Sequence, residues 1–324
     1  MSYLSEHKEE IFKKYTTEEL LQDINNYKFK NGRLSKLLNH YFEECIFNCK
    51  SNRYSKTPME ALQNDDDMSW ILNYIRTKPN FYTGNEISNV KSFFRNGTRI
   101  ARKVANFCPK NARNAYFRYF DIGSNIACLD TSAGFGARMC AALLNGASYI
   151  GFDPNTQVVA KSNEMYSFFK NNDLVTDKQN FKIYNCGSEE FKSELVNSMD
   201  VVFTSPPYFN LETYANDNCE SNKNYNNYGM WLENFVKPTV DNIYKYLKFD
   251  GYIMINIKNL TNMGKQCLFD DWFNIIKGHP GFEFVEVFEI AHQGAKNFWM
   301  NTNYTKEDYN GYKEPVMVFR KVQL

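Results

Sequence analysis

Long apolar runs are missing from this chain. No stretch approaches the length of a membrane span. The opening residues, Met1-Ser2-Tyr3-Leu4-Ser5-Glu6-His7-Lys8, carry polar and charged groups where a secretion signal needs an apolar region. A cytoplasmic protein is the expectation. Net charge is almost absent as well: 38 Lys and Arg against 37 Asp and Glu leave +1. The molecule as a whole therefore has no pull on polyanions, and any such binding must come from a local patch. Metal-binding spacing is also lacking. The eight cysteines are irregularly placed, and although Cys45 and Cys49 stand four apart, no second pair or nearby histidine completes a zinc set. Reduced thiols and no metal are expected. His292 has no matching carboxylate or serine partner and reads as structural.

What is present divides the 324 residues in two, enough for one large domain and an appendage. Residues 1–85 read as helical. Ile11, Phe12 and Tyr15, then Leu20 and Leu21, then Leu34, Leu37, Leu38, Tyr41 and Phe42, then Trp70, Ile71, Tyr74 and Ile75, recur at helical spacing. Thr16 or Thr17 can cap the second of these helices. Pro79 and Gly84 break the pattern and suggest a boundary near residue 85. From Ile126 onward, short apolar runs alternate with helical stretches. They begin with 126–129, 148–152, 181–184 and 201–203, followed by 252–257 after a helix expected to end at Gly251. Residues 282–290 and 315–319 complete the set as a late antiparallel pair. Such alternation predicts an α/β domain over 86–324 with a mostly parallel sheet covered on both faces.

Two segments in this domain carry chemistry. Leu129-Asp130-Thr131-Ser132-Ala133-Gly134-Phe135-Gly136 is a strand running into a glycine turn and then a helix. In an open parallel sheet, ligands sit at the carboxyl ends of strands near the switch point. Gly134 and Gly136 permit close backbone approach there, and the helix offers free N–H groups. Asp153, ending the second strand, could accept hydrogen bonds from two ribose hydroxyls. A nicotinamide enzyme uses the same devices, but its fingerprint wants a small residue where Met139 stands, which favours a methyl donor over a dinucleotide. A tight turn without a ligand is the plain alternative. The second segment, Thr204-Ser205-Pro206-Pro207-Tyr208, closes the strand Asp200-Val201-Val202-Phe203. The prolines lack N–H groups and stiffen the chain, so nearby carbonyls can point into a site. Ser205 adds an acceptor, and Tyr208 a flat face.

In this order the two segments resemble the cofactor and catalytic motifs of S-adenosylmethionine-dependent DNA amino-methyltransferases of the adenine-N6 and cytosine-N4 type. The second motif there is Asp, Asn or Ser followed by Pro-Pro and an aromatic. The resemblance covers residues 90–324 and implies a class I methyltransferase Rossmann-like sheet, unpermuted, with S-adenosylmethionine as cofactor. It implies that Asp130, Ser132, Ala133, Gly134 and Gly136 line the methionine and ribose, and that Asp153 holds the ribose. Phe152 and Pro154 would flank the adenine, with Cys186-Gly187-Ser188 beside the ring. Ser205, Pro206, Pro207 and Tyr208 would orient and stack an extruded base, with adenine N6 favoured over cytosine N4. Ser205 argues against a protein glutamine substrate, and no Pro-Cys pair suggests covalent cytosine-C5 chemistry. An RNA base, or a non-catalytic nucleic-acid-binding subunit, are the competing readings.

DNA is the expected partner, and the contact must be local. Between Glu86 and Asp121 there is no acid, whereas Lys91, Arg95, Arg99, Arg102, Lys103, Lys110, Arg113 and Arg118 are basic. Phosphate contact is expected of Arg95, Arg99, Arg102 and Lys103, with a solvated helix face as the plain alternative. The same stretch matches the family's N-terminal lid, which would bring Phe93, Phe94, Asn96 and Gly97 over the methionine. Phe209 and Tyr225, in the Asn- and Tyr-rich segment 209–230, are expected to touch the nucleic acid, a mobile surface loop being the plain alternative, and 293–312 forms a second candidate rim.

Overall fold

The computed structural model describes residues 2–96, 99–209, 212–213, 225, 227–259, 267–290 and 314–323. The chain forms two compact units. One comprises Met1–Asn106 with Asn210–Glu220, and the other Phe107–Phe209 with Ser221–Leu324.

The first unit is helical: α1 (Tyr3–Ile11), α2 (Thr17–Lys30), α3 (Ser35–Phe47), α4 (Pro58–Gln63), α5 (Asp65–Arg76) and α6 (Glu86–Asn96). Thr16 is the cap of α2. Its hydroxyl accepts from the Glu19 N–H while Glu19 reaches back to the Thr16 N–H, so both free donors are satisfied. Thr57 and Glu60 repeat the device at α4. The apolar stripes converge on one core that includes Ile11, Phe47, Leu62, Ile71, Val90, Phe93 and Phe94. The unit runs on to Asn106, and α6 contributes Val90 and two of the core's largest apolar groups, Phe93 and Phe94. A two-residue strand, β1 (Lys50–Ser51), pairs antiparallel with β6 (Glu212–Thr213).

The second unit is built on a seven-stranded sheet in the order β4-β3-β2-β5-β7-β9-β8. Its strands are β2 (Ala127–Asp130), β3 (Ser148–Phe152), β4 (Phe181–Tyr184), β5 (Met199–Thr204), β7 (Leu247–Asn256), β8 (Phe282–Glu289) and β9 (Pro315–Lys321). All neighbouring pairs are parallel except those made by β9, which runs antiparallel between β7 and β8. The helices are α7 (Pro109–Tyr116), α8 (Ala137–Leu143), α9 (Thr156–Asn171), α10 (Tyr228–Trp231), α11 (Lys237–Tyr246) and α12 (Leu268–Gly278). Consecutive residues of the central strands, Val201, Val202 and Phe203 in β5 and Ile253, Met254 and Ile255 in β7, are all fully buried. Alternation is lost because both faces are covered. This is the class I Rossmann-like sheet that the sequence led us to expect. β7 begins at Leu247, earlier than expected, because α11 ends at Tyr246 and its last residues lead straight into pairing with β5.

Between α10 and α11 lies a π-helical turn, Leu232–Val236. Pro238 follows it and has no N–H to offer the carbonyl four residues back. That carbonyl, of Asn234, accepts instead from the Tyr225 hydroxyl at 3.1 Å.

The first strand to leave the centre is tightly fitted at its tip. A Cβ on Gly151 would lie 3.1 Å from both the Ala133 Cβ and a ring carbon of Tyr149, and 3.3 Å from Ile183. Gly151→Ala is therefore expected to destabilise the sheet unit by about 1–3 kcal/mol, the usual cost of overpacking. Urea unfolding checks this, and an unchanged midpoint would show that the turn can yield.

Candidate active site

The sheet reverses direction of winding between β2 and β5: β3 and β4 extend to one side, β5 and β7 to the other. β2 and β5 are parallel neighbours, with Cys128 opposite Val201 and Leu129 opposite Val202. Residues 130–136 and 204–208 thus leave adjacent strands at the same edge of the sheet, at its switch point.

The glycine turn is held from below. Asp130 is fully buried, and its carboxylate accepts from Arg138 Nε at 2.7 Å, the Tyr149 hydroxyl at 2.9 Å and the Ser132 N–H at 3.1 Å. Arg138, buried in the first turn of α8, also donates to the Ser132 carbonyl and lies over the Phe107 ring. Burial opposes its charge, but Asp130 more than offsets this and holds the guanidinium firmly protonated. Asp130 therefore does not line the open side of the turn, as the resemblance implied. All its charge is spent inward, on shaping the turn, and it is a positioning residue. Gly134 and Gly136 both have positive φ, +57° and +73°, which favours glycine at each place. Ala133 is buried, and its N–H donates to the Phe152 carbonyl at 2.8 Å. Ser132 and Gly134 are partly exposed.

Asp153 stands at the tip of β3 beside this turn. One carboxylate oxygen accepts from the Gly134 N–H and the other from the Asn155 N–H, each at 2.9 Å. Burial raises its pKa to about 6, against the two backbone donors, which lower it; Asp130 raises it further and Arg138 opposes that. Each oxygen keeps a lone pair, so the group can take two more donors of the kind a vicinal diol offers. The residues present therefore fit a ribose.

Other parts of the strand-end edge depart from the expectation. Phe152 is buried, stacked on Tyr184 at 5.0 Å and Tyr246 at 6.3 Å, so its ring belongs to the core and is closed to an adenine. Beyond β4, the Ser188 hydroxyl bonds that of Thr239 at 2.9 Å and its carbonyl accepts from Asn242. The chemically open group there is Glu189, which the sequence did not single out. Its carboxylate folds over Gly187 and burial raises its pKa. One oxygen is buried without a partner among the described residues. The hydroxyls of Thr131 and Thr204, at the tips of β2 and β5, are likewise buried without partners among the described residues. Such deficits are uncommon; these three lie at or after the carboxyl ends of β2, β4 and β5, and others occur elsewhere, Ser162 and Trp272 among them.

In the second motif, Pro206 is buried while Ser205, Pro207 and Tyr208 are partly exposed. The Tyr208 hydroxyl accepts from the Lys258 N–H at 3.1 Å, which ties the ring to the chain beyond β7. Phe209, expected to meet nucleic acid, is buried against Tyr228 and Trp231 at 5.5 and 5.7 Å. Tyr225 is partly buried and serves Asn234, with Glu189 at 3.4 Å from its hydroxyl.

The remaining expected residues belong to the helical unit or its end. Phe94 is fully buried between Phe47 and Phe93, at 5.6 and 5.5 Å, so it cannot cover a ligand. Asn96 is exposed at the end of α6, and Gly97 lies outside the described residues. Arg95, Arg99 and Arg102 are exposed. Lys103 is largely covered, with its pKa lowered by burial. In the sheet unit, Arg118 is taken by Glu286 through two bonds of 2.7 and 2.8 Å. His292 and segment 293–312 lie outside the described residues, as does most of 209–230.

No family model and no curated protein matches the chain. Solved structures do resemble it. A TehB-like SAM-dependent methyltransferase from Corynebacterium glutamicum is 15% identical, over 65% of this chain and 87% of its own, with a TM-score of 0.42. A SAM-dependent O-methyltransferase from Thermotoga maritima is 11% identical over 68% of each chain, with a TM-score of 0.42. A tRNA methyltransferase from Aquifex aeolicus is 10% identical, over 69% of this chain and 72% of its own, with a TM-score of 0.42. The fold described above rests on the strand order and pairing of the sheet itself.

Asp153 carries a pH signature. Its ordinary pKa of 3.8 is raised to about 6 in the folded chain. Its contribution to stability is full below 3.8 and lost as pH rises through 6. The stability difference between Asp153→Asn and wild type is thus expected to move toward the variant by about 3 kcal/mol between about pH 3.5 and 7. Denaturant melts across that range check it. A difference independent of pH would mean the carboxylate is not held at a cost.

Proposed function

We propose that this protein transfers a methyl group from S-adenosylmethionine to the exocyclic amino nitrogen of a DNA base, adenine N6 before cytosine N4. The observation that carries the reading is the departure of the glycine turn and the Ser-Pro-Pro-Tyr segment from adjacent parallel strands at one switch point. A donor bound at one and a base at the other would meet across neighbouring strand tips. The bound donor supplies a methyl group activated on a sulfonium centre.

The chain's own residues account for the rest. Asp153, with its two unfilled acceptor positions, would hold the ribose hydroxyls, and the Ser132–Gly134 backbone the methionine end. Glu189 would accept from the amino group of the donor's adenine, relieving its unpartnered oxygen. A base amino group is a poor nucleophile because its lone pair is delocalised into the ring. Acceptors that take both its hydrogens favour the pyramidal form and so stabilise the transition state more than the ground state. Ser205 Oγ and the Pro206 carbonyl are suited to this, and Tyr208, fixed through its hydroxyl, offers the base a stacking face. The amino proton can pass to solvent after transfer, so no general base is required.

Incubation with isotopically labelled donor and duplex DNA or RNA, then digestion to nucleosides and mass spectrometry, tests the reading. The expected product is an N6-methylated deoxyadenosine. Label found only in RNA would replace the substrate, and label in neither nucleic acid would remove the proposal. Ser205→Ala is expected to lower turnover at least tenfold with little change in donor affinity, the pattern of an interaction made in the transition state. Asp153→Ala is expected mainly to weaken donor binding, which calorimetry would report. Equal loss of donor affinity in the two variants would contradict the roles given.

A further inference from the structure

The helical unit contains a groove of about 420 Å³ lined by Glu10, Lys13, Asn85, Ser88, Lys91 and Arg95, with Ile87 as its apolar member. It draws on both ends of that unit's sequence, α1 with the turn after it and α6. Its charges do not balance. Lys91 is answered by the buried Glu43 at 2.7 Å. Lys13 is exposed, with Glu19 at 3.8 Å as its nearest carboxylate and the Tyr15 ring at 5.1 Å. Arg95 is exposed and has no ion pair among the described residues. Glu10 is the one acid of the lining, facing three cations. A fourth cation, Lys103, feels the same crowding: burial lowers its pKa, Glu43 offsets part of this, and Arg95 and Lys91 lower it further. Asn85 and Ser88 add neutral hydrogen-bonding groups to the lining. Arg99 and Arg102, both exposed, follow α6 closely in sequence.

We propose that this groove binds the phosphodiester backbone of the nucleic acid substrate, with Lys13 and Arg95 as its two phosphate contacts. An exposed arginine with no ion pair among the described residues, beside an exposed lysine whose nearest carboxylate is 3.8 Å away, is a feature that a phosphate neutralises. The partner's identity rests on the methyl-transfer reading above, but the groove itself does not. It lies wholly within the helical unit, and its lining shares no residue with the strand tips of the sheet. It also revises the basic-block reading: Lys91 and Lys103 lend potential from beneath, while Lys13, far from the block in sequence, joins Arg95 at the surface.

The test measures binding of the full chain to a fluorescein-labelled 24-base-pair DNA duplex, a 24-nucleotide RNA and inorganic phosphate over a range of salt. On duplex DNA, loss of two phosphate contacts in Lys13→Gln with Arg95→Gln is expected to reduce the slope of log affinity against log salt by about 1.8. Glu10→Gln, which removes the one acid, is expected to tighten binding roughly twofold at low salt. Misfolding cannot imitate that gain. The same changes on RNA and not on DNA would keep the groove and alter its strand. An unchanged slope in the double variant, no gain from Glu10→Gln, or an effect on inorganic phosphate alone would overturn the proposal. If wild-type protein methylates no nucleic acid yet shows the slope change, the enzymatic reading fails and the groove stands. If it methylates DNA with no slope change, the groove fails alone.

Discussion

Asp130 and Arg138 form a buried ion pair on which the strand-end edge depends. Charges so thoroughly removed from water are costly, and their attraction repays the cost only when the other lone pairs and protons are also satisfied. Here they are. The carboxylate takes three donors, and the guanidinium reaches both Asp130 and the Ser132 carbonyl. The outcome is a turn with one available path. With Ser132 fixed at both its N–H and its carbonyl, Gly134 is carried to where its N–H meets Asp153. Through that bond the tips of β2 and β3 are joined, and Asp153 is kept ionisable at a depth where a carboxylate would otherwise be hard to maintain.

A second constraint is the abundance of aromatic side chains, 16% of the chain. Large rings are costly to leave in water, and the fold draws inward several that a motif reading would leave for ligands. Phe94, Phe152 and Phe209 share this fate, each stacked or edge-on with other rings in its own unit. Tyr208 differs because its hydroxyl can be satisfied by the Lys258 N–H while the ring stays partly open.

Much of the sheet was legible in the chain because short runs such as Val201-Val202-Phe203 admit few other readings when helices separate them. The turn was legible because glycine at 134 and 136 answers a backbone requirement visible in the residue type. Three things were not. Arg138 reads as an ordinary helix residue, and its burial follows from Asp130 eight residues earlier, a tertiary fact. Pro79 and Gly84 interrupt the helical pattern near residue 85, while the packing of α6 against α1, α3 and α5 is invisible to periodicity. Tyr225 was assigned to a partner because its neighbours are polar. Its bond is to the carbonyl of Asn234, which Pro238, four residues on, has no N–H to meet.

The short strand β6 has a consequence for how the polypeptide is partitioned. The backbone passes from one unit to the other three times, after residues 106, 209 and 220. A nick at the first crossing would leave Lys50–Ser51 on one piece and its pairing partner Glu212–Thr213 on the other. Expression of residues 107–324 alone would carry Glu212–Thr213 along without Lys50–Ser51, stripping a ladder of its mate. The second crossing comes directly after Phe209, whose ring is packed against Trp231 within the sheet unit.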